Sequence, residues 1–293
     1  MASWPLQWEI RLTASTKTWR TEGVLRRVAP LVALAGLTVG GCARNDTPSP
    51  SADEGSVAAL LKSAESETLA AVARGRVLKK NEACPADMVL VEGDYCPNVE
   101  LNCKKYLDPS GRYEQFRCAE YGPSKCLSKS RRHLRYCIDR HEYVPPGESL
   151  PANFKSFTHA EKICKSQGRR VCMESEWNFA CEGEEMRPYP YGFTRDPDAC
   201  NADRTDIIAK HGGLRDLRAT PGSHPRCASP FGVMDLSGNL EEFVAIDGST
   251  PIRPAMKGAY WQPSRNFCRA AQTAHDRYYN GTETGFRCCS AAK

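Results

Sequence analysis

The sequence predicts an irregular α+β domain in which turns and disulfides replace much of the usual regular structure. Three observations lead there. Only two stretches carry helical patterning with recognisable ends, around Ser156–Gly168 and Glu174–Cys181. Turn sequences recur through the second half: PYPYG, ATPGSHP, LSGN, GAYW and NGTETG. The chain of 293 residues also holds 15 cysteines, far more than a reduced compartment explains. Apolar residues at 41% and charged residues at 26% are otherwise those of an ordinary globular protein.

From the N-terminus, Arg26 and Arg27 precede the uncharged run Val28–Gly41, which ends at Cys42. Such a run is shorter than the ~20 residues a membrane-spanning helix needs. A basic start, a short apolar middle and small exit residues make a secretory signal. Val39-Gly40-Gly41-Cys42 resembles the lipobox of bacterial lipoproteins, which implies cleavage before Cys42 and a lipid on its sulfur. Residues 1–41 therefore read as a lipoprotein-type signal peptide. The polar residues 1–23 are long for its front end, and translation starting near Val24 would account for them. Residues 42–82 read as the lipidated cysteine and a Pro/Ser-rich tether. Within it, Val57–Val77 fits a short amphipathic helix and a continued flexible stalk equally. Residues 83–290 form one domain, with no Pro/Ser-rich break.

In that domain Met88–Val91 reads as a strand. Ser156–Gly168 reads as a helix, with Thr158 and Glu161 as a capping box and Gly168 as its stop. Glu174–Cys181 is a second helix carrying Trp177 and Phe179 toward the core. Gly238-Asn239 is a turn that demands a positive backbone angle. Gly285-Phe286-Arg287 reads as a terminal strand with Phe inside and Arg against a carboxylate. Setting Cys42 aside leaves fourteen cysteines, an even number that fits up to seven disulfides and an oxidising compartment.

Several functions are disfavoured. The formal charge is +5, and residues 1–41 contribute five Lys/Arg against two Asp/Glu, so the remainder sits near +2. No basic stripe for nucleic acid is visible, and Lys125–Arg135 reads as a solvated face. There is no Cys-x-x-Cys and no His at zinc-finger spacing. The six histidines are scattered, and the carboxylates Asp139, Glu142, Glu174 and Glu176 show no spacing that separates acid from base.

Taken in order, a series of blocks resembles the sulfatase-modifying factor family, the formylglycine-generating enzymes. They are Met88–Gly93, Gly168-Arg169-Arg170, Glu174–Ala180, Tyr189-Pro190-Tyr191-Gly192, Cys200-Asn201, Pro221-Gly222-Ser223, Phe231–Phe243, Gly258-Ala259-Tyr260-Trp261, Arg269 and Gly285-Phe286-Arg287. The resemblance implies a variant of the C-type lectin fold. Residues 95–135, with four cysteines, have no counterpart and read as an insertion.

The family's oxygen-dependent enzymes bind copper(I) through two cysteines four residues apart, a soft thiolate set suited to that ion. They convert a substrate cysteine to formylglycine. In the matching stretch, counting forward from Gly258 puts Pro263 and Cys268 at the two positions. Counting back from Gly285-Phe286-Arg287 displaces Cys268 and puts Arg265 near the second. Neither count keeps a pair, so copper is not expected, and Cys268 is the sole catalytic candidate. Its competing reading is structural. The resemblance implies a bridge from Cys181 to a cysteine near Cys268, and another joining Cys164 to Cys288.

The resemblance also implies calcium ligands at Asp235, Glu242 and the carbonyls of Gly238 and Leu240, with Asn201 in a second site. Hard oxygens over eight residues suit that ion. The alternative is an Asx-type turn with Glu242 in a salt bridge. The expected function is that of an exported lipoprotein of the cell envelope, anchored on the periplasmic or outer-membrane face or at the cell surface. Its domain, without copper oxidase chemistry, would bind a protein, peptide or glycan or serve envelope assembly. The alternative is an oxidative modifier that makes formylglycine in sulfatases.

Overall fold

The computed structural model describes residues 83–293. The expected signal peptide, Cys42 and the tether fall outside the described residues. No helix among those described is long and apolar enough to cross a membrane.

The first strand, β1 (Met88–Tyr95), alternates buried and exposed positions and pairs antiparallel with β6 (Arg132–Asp139) along its whole length. Between them lie four short strands: β2 (Val99–Glu100), β3 (Cys103–Tyr106), β4 (Cys118–Tyr121) and β5 (Lys125–Cys126). They form two local pairs, β2 with β5 and β3 with β4. The four cysteines of this insertion bond one another, Cys96 to Cys126 and Cys103 to Cys118. It is stapled as a unit of its own.

Two helices follow. Helix α1 spans Phe157–Ser166 and α2 spans Glu174–Glu182, with β7 (Arg170–Val171) between them. The cap of α1 differs from the sequence expectation. Ser156 accepts from the His159 backbone N–H at 3.3 Å, and His159 returns a bond to Ser156, so the box starts two residues earlier. Thr158 and Glu161 instead hold Arg277 from a distant loop. A serine in extended conformation at 156 takes the cap because it sits one residue before the first buried apolar position, Phe157.

The rest is β8 (Glu241–Ala245), β9 (Pro254–Lys257), β10 (Ala271–Gln272), β11 (Thr284–Gly285) and β12 (Cys288–Ala291). One four-stranded sheet runs β1-β6-β12-β7 and a second runs β10-β9-β8-β11. The last strand of the chain thus lies inside the first sheet, against β6 and β7. Trp177 and Phe179 of α2 are fully buried with Val91, Ile138, Leu236 and Val244. A second apolar cluster gathers Phe157, Phe243, Met256 and Phe286 between α1 and the second sheet.

Five further disulfides close this frame. Cys164–Cys288, Cys172–Cys289 and Cys181–Cys268 tie the helical region to the C-terminal segment across 124, 117 and 87 residues. Cys84–Cys137 and Cys200–Cys227 close shorter loops. In the chain-entropy description a loop above a hundred residues restricts the unfolded chain by roughly 4–5 kcal/mol.

Candidate functional site

Strand β8 opens with two consecutive glutamates, and a strand sends successive side chains to opposite faces. Glu242 goes inward. Its carboxylate accepts from Arg287 Nε at 2.7 Å and Nη2 at 2.6 Å, and from Trp177 Nε1 at 2.9 Å. Both ion-pair partners are 1% exposed. Arg287 also donates to the carbonyl oxygens of Met234 and Asp139. Beside this pair, Glu142 accepts from the Leu240 N–H at 2.9 Å and from the Asn239 side-chain amide. Burial, reinforced by Glu242 and Asp235, pushes the Glu142 carboxyl well above the usual range.

Some of the expected calcium ligands take part in these contacts. Glu242 neutralises Arg287, so an ion placed there would have to displace a buried guanidinium. Leu240 gives its N–H to Glu142, and the Asp235 carboxylate lies 3.8 Å from His141 Nδ1. Asn201 is spent on the turn: its Nδ2 donates to Asn239 Oδ1 at 2.9 Å and to the Leu217 carbonyl, and its own carbonyl accepts the Asn239 N–H. The described residues hold no group of three or more His, Cys, Asp or Glu placed to take a metal. Of the expected oxygen set, the Glu242 carboxylate is thus engaged in a salt bridge with Arg287. Gly238 and Asn239 adopt φ of 82° and 60°, and a Cβ on Gly238 would stand 2.3 Å from the Asn201 carbonyl oxygen.

Glu241 goes the other way. It lines a cleft of about 290 Å³ beside the second sheet. The cleft floor includes Met256 of β9, and its walls include Tyr260, Ala270, Gln272 and Tyr279. Glu283, just before β11, faces the same space and accepts the Tyr279 hydroxyl at 2.6 Å. Burial, with Glu283 nearby, raises the Glu241 carboxyl to about 7. Burial and the two carboxylates likewise raise Tyr260 to about 12. His275 stacks on Tyr279 with ring centroids 3.6 Å apart. Phe116 arrives from the insertion, and Arg265 lies over its ring at 5.3 Å.

The cleft is built largely by residues of the segment Gly258–Arg269 together with the two glutamates. Cys268 does not face it as a thiol. It is fully buried and bonded to Cys181, with Cα atoms 5.6 Å apart. All fourteen described cysteines are in disulfides. The described cysteines therefore do not fit copper(I), which needs free thiolates. The other sequence candidates are also engaged: Asp139 with Arg169, Glu174 with Lys257 and Glu176 with Arg170. Burial raises Asp139 to about 6 and lowers Lys257 to about 8.

A domain model for the sulfatase-modifying factor enzyme 1-like domain matches residues 111–292. The chain belongs to this family. The sulfatase-modifying factor fold is accordingly the C-type-lectin-like α+β arrangement described above, with seven disulfides. Among solved structures, CarF is 13% identical over 71% of this chain and 99% of that one, with a TM-score of 0.47. PvdO from Pseudomonas aeruginosa is 15% identical over 70% and 94%, with a TM-score of 0.46. Treponema denticola variable protein 1 is 10% identical over 69% and 99%, with a TM-score of 0.37. No curated protein sequence matches the chain.

Sequence reasoning missed Glu241, Glu283, Tyr279 and Phe116 as one site. A usable signal was present in Glu241-Glu242: adjacent carboxylates on a strand cannot both answer the same buried arginine. Nothing in the spacing points to Phe116, which reaches the cleft only through the folded insertion.

Proposed function

We propose that this sulfatase-modifying factor domain belongs to an exported, lipid-anchored envelope protein, and that it binds a protein, peptide or glycan instead of oxidising cysteine. The observation that carries the reading is the Cys181–Cys268 bridge. It uses the one sulfur left in the stretch that would hold a copper pair, while Pro263 stands at the other position. The cleft beside it offers carboxylates, phenols and amides, a recognition surface without a redox group. Seven disulfides are compatible with an extracellular or envelope location, and the lipobox-like Cys42 supports the anchor.

Thiol labelling of the unreduced, folded protein tests this. It should find no accessible cysteine from Cys84 onward, and a cysteine-bearing peptide supplied with dioxygen and copper(I) should remain unchanged. Two labelled thiols protected by copper(I), with formylglycine appearing in the peptide, would establish the oxidative alternative. Mass spectrometry of the mature N-terminus tests the anchor: a diacylglyceryl group on Cys42 is expected, and an unmodified residue 42 excludes it.

A further inference from the structure

The cleft that holds Glu241 joins two features that select the same ligand. It has two carboxylates, and among the described residues neither is in an ion pair. It is also lined by the rings of Tyr260, Tyr279 and Phe116, with His275 stacked on Tyr279 and Arg265 over Phe116. Carboxylates attract a cation through charge, and aromatic faces attract it through their quadrupole. The one guanidinium at the cleft, Arg265, is exposed and held over Phe116. Gly281 contributes by what it lacks. A Cβ there would stand 2.3 Å from Glu283 Oε2, so the glycine leaves the space into which that carboxylate folds.

Resting on the binding reading above, we infer that this cleft is a receptor for a single organic cation, an ammonium or guanidinium group, held between Glu241 and Glu283 and faced by Tyr260 and Tyr279. A volume of about 290 Å³ accommodates the end of a lysine or arginine side chain or a small free amine. A doubly anionic or purely apolar group would have to desolvate against the two glutamates without compensation.

The test uses the full chain in detergent micelles, titrated with four probes and followed by ligand-observed NMR. The probes are blocked lysine, blocked arginine, n-butylammonium and the neutral isostere N-acetyl-norleucine methylamide. At least one cationic probe should bind tenfold or more tightly than the norleucine probe. Blocked residues binding best assigns a peptide side chain, and n-butylammonium binding best assigns a free amine. E241Q/E283Q should weaken the cationic probes at least tenfold without lowering the melting temperature. Gly281→Ala, which keeps both charges but pushes Glu283 aside, should weaken them several-fold, whereas Arg265→Gln should tighten them by removing a competing cation. Equal binding of norleucine, no binding of any cation, or full affinity in E241Q/E283Q would overturn the inference and leave the binding reading standing. Turnover of a cysteine peptide would instead remove the binding reading itself.

Discussion

Glu241 and Glu242 are neighbours on one strand and live in opposite electrostatic worlds. Glu242 is enclosed, with both oxygens answered by Arg287 and Trp177. Glu241 is partly enclosed in a cleft wall, with another carboxylate nearby and no ion-pair partner among the described residues. The first arrangement is how a fold keeps a charge inside: desolvation is offset by a bidentate partner and further hydrogen bonds. The second leaves desolvation and like-charge repulsion uncompensated, a cost that a purely structural residue would not need to carry. On one side of β8 Glu242 is enclosed by Arg287 and Trp177, and on the other Glu241 borders the cleft.

Breaking the enclosed side should have the largest effect. Arg287→Met leaves Glu242 buried without its partner and should cost about 3–5 kcal/mol, read by chemical denaturation. A fully stable Arg287→Met protein would show that the pair contributes only packing. Gly238→Ala attacks the adjoining turn, where φ is positive and the new Cβ meets backbone oxygen. It should cost roughly 2–4 kcal/mol, since a carbonyl cannot step aside as a flexible side chain can.

On the open side the sign reverses. Folded Glu241 holds its proton to about pH 7, while an unfolded glutamate loses it near 4.5. The unfolded chain therefore releases a proton first, and the wild-type protein loses stability from this residue as the pH rises through that window. Glu241→Gln escapes that loss. It should match wild type near pH 4 and exceed it by about 1–3 kcal/mol at pH 8, measured as denaturation midpoints against pH. A glutamine variant less stable at pH 8 would mean that Glu241 holds structure after all. The smallest expected change is from calcium: with Arg287 as counter-ion of Glu242, chelator or added calcium should move the melting temperature by less than about 1 °C. A calcium-dependent rise of several degrees would identify a bound ion.

Much of the enclosed side could be read from sequence. Gly285-Phe286-Arg287 and Gly238-Asn239 carry their meaning locally: an inward aromatic, an arginine seeking a carboxylate, a turn needing positive φ, although Phe286 and Arg287 lie between β11 and β12 and not in the single terminal strand expected. The helix over Ser156–Gly168 was visible by period. Its cap was misplaced because both Ser156 and Thr158 satisfy the local pattern, and only the tertiary contact of Thr158 and Glu161 with Arg277 separates them. The open side was not legible. Its walls come from residues 116, 241, 260, 279 and 283, brought together by strand order and by the stapled insertion. Neither leaves a mark at short range.

The adjacent cysteines 288 and 289 make the closure of this fold depend on its last strand. Each closes on a residue more than a hundred positions earlier, Cys164 on α1 and Cys172 just after β7. A polypeptide stopped anywhere before residue 288 lacks the inner strand of its first sheet and displays unpaired sulfur at both earlier positions. A copy cut short of residue 288 thus differs from the folded domain in reactive chemistry as well as in shape.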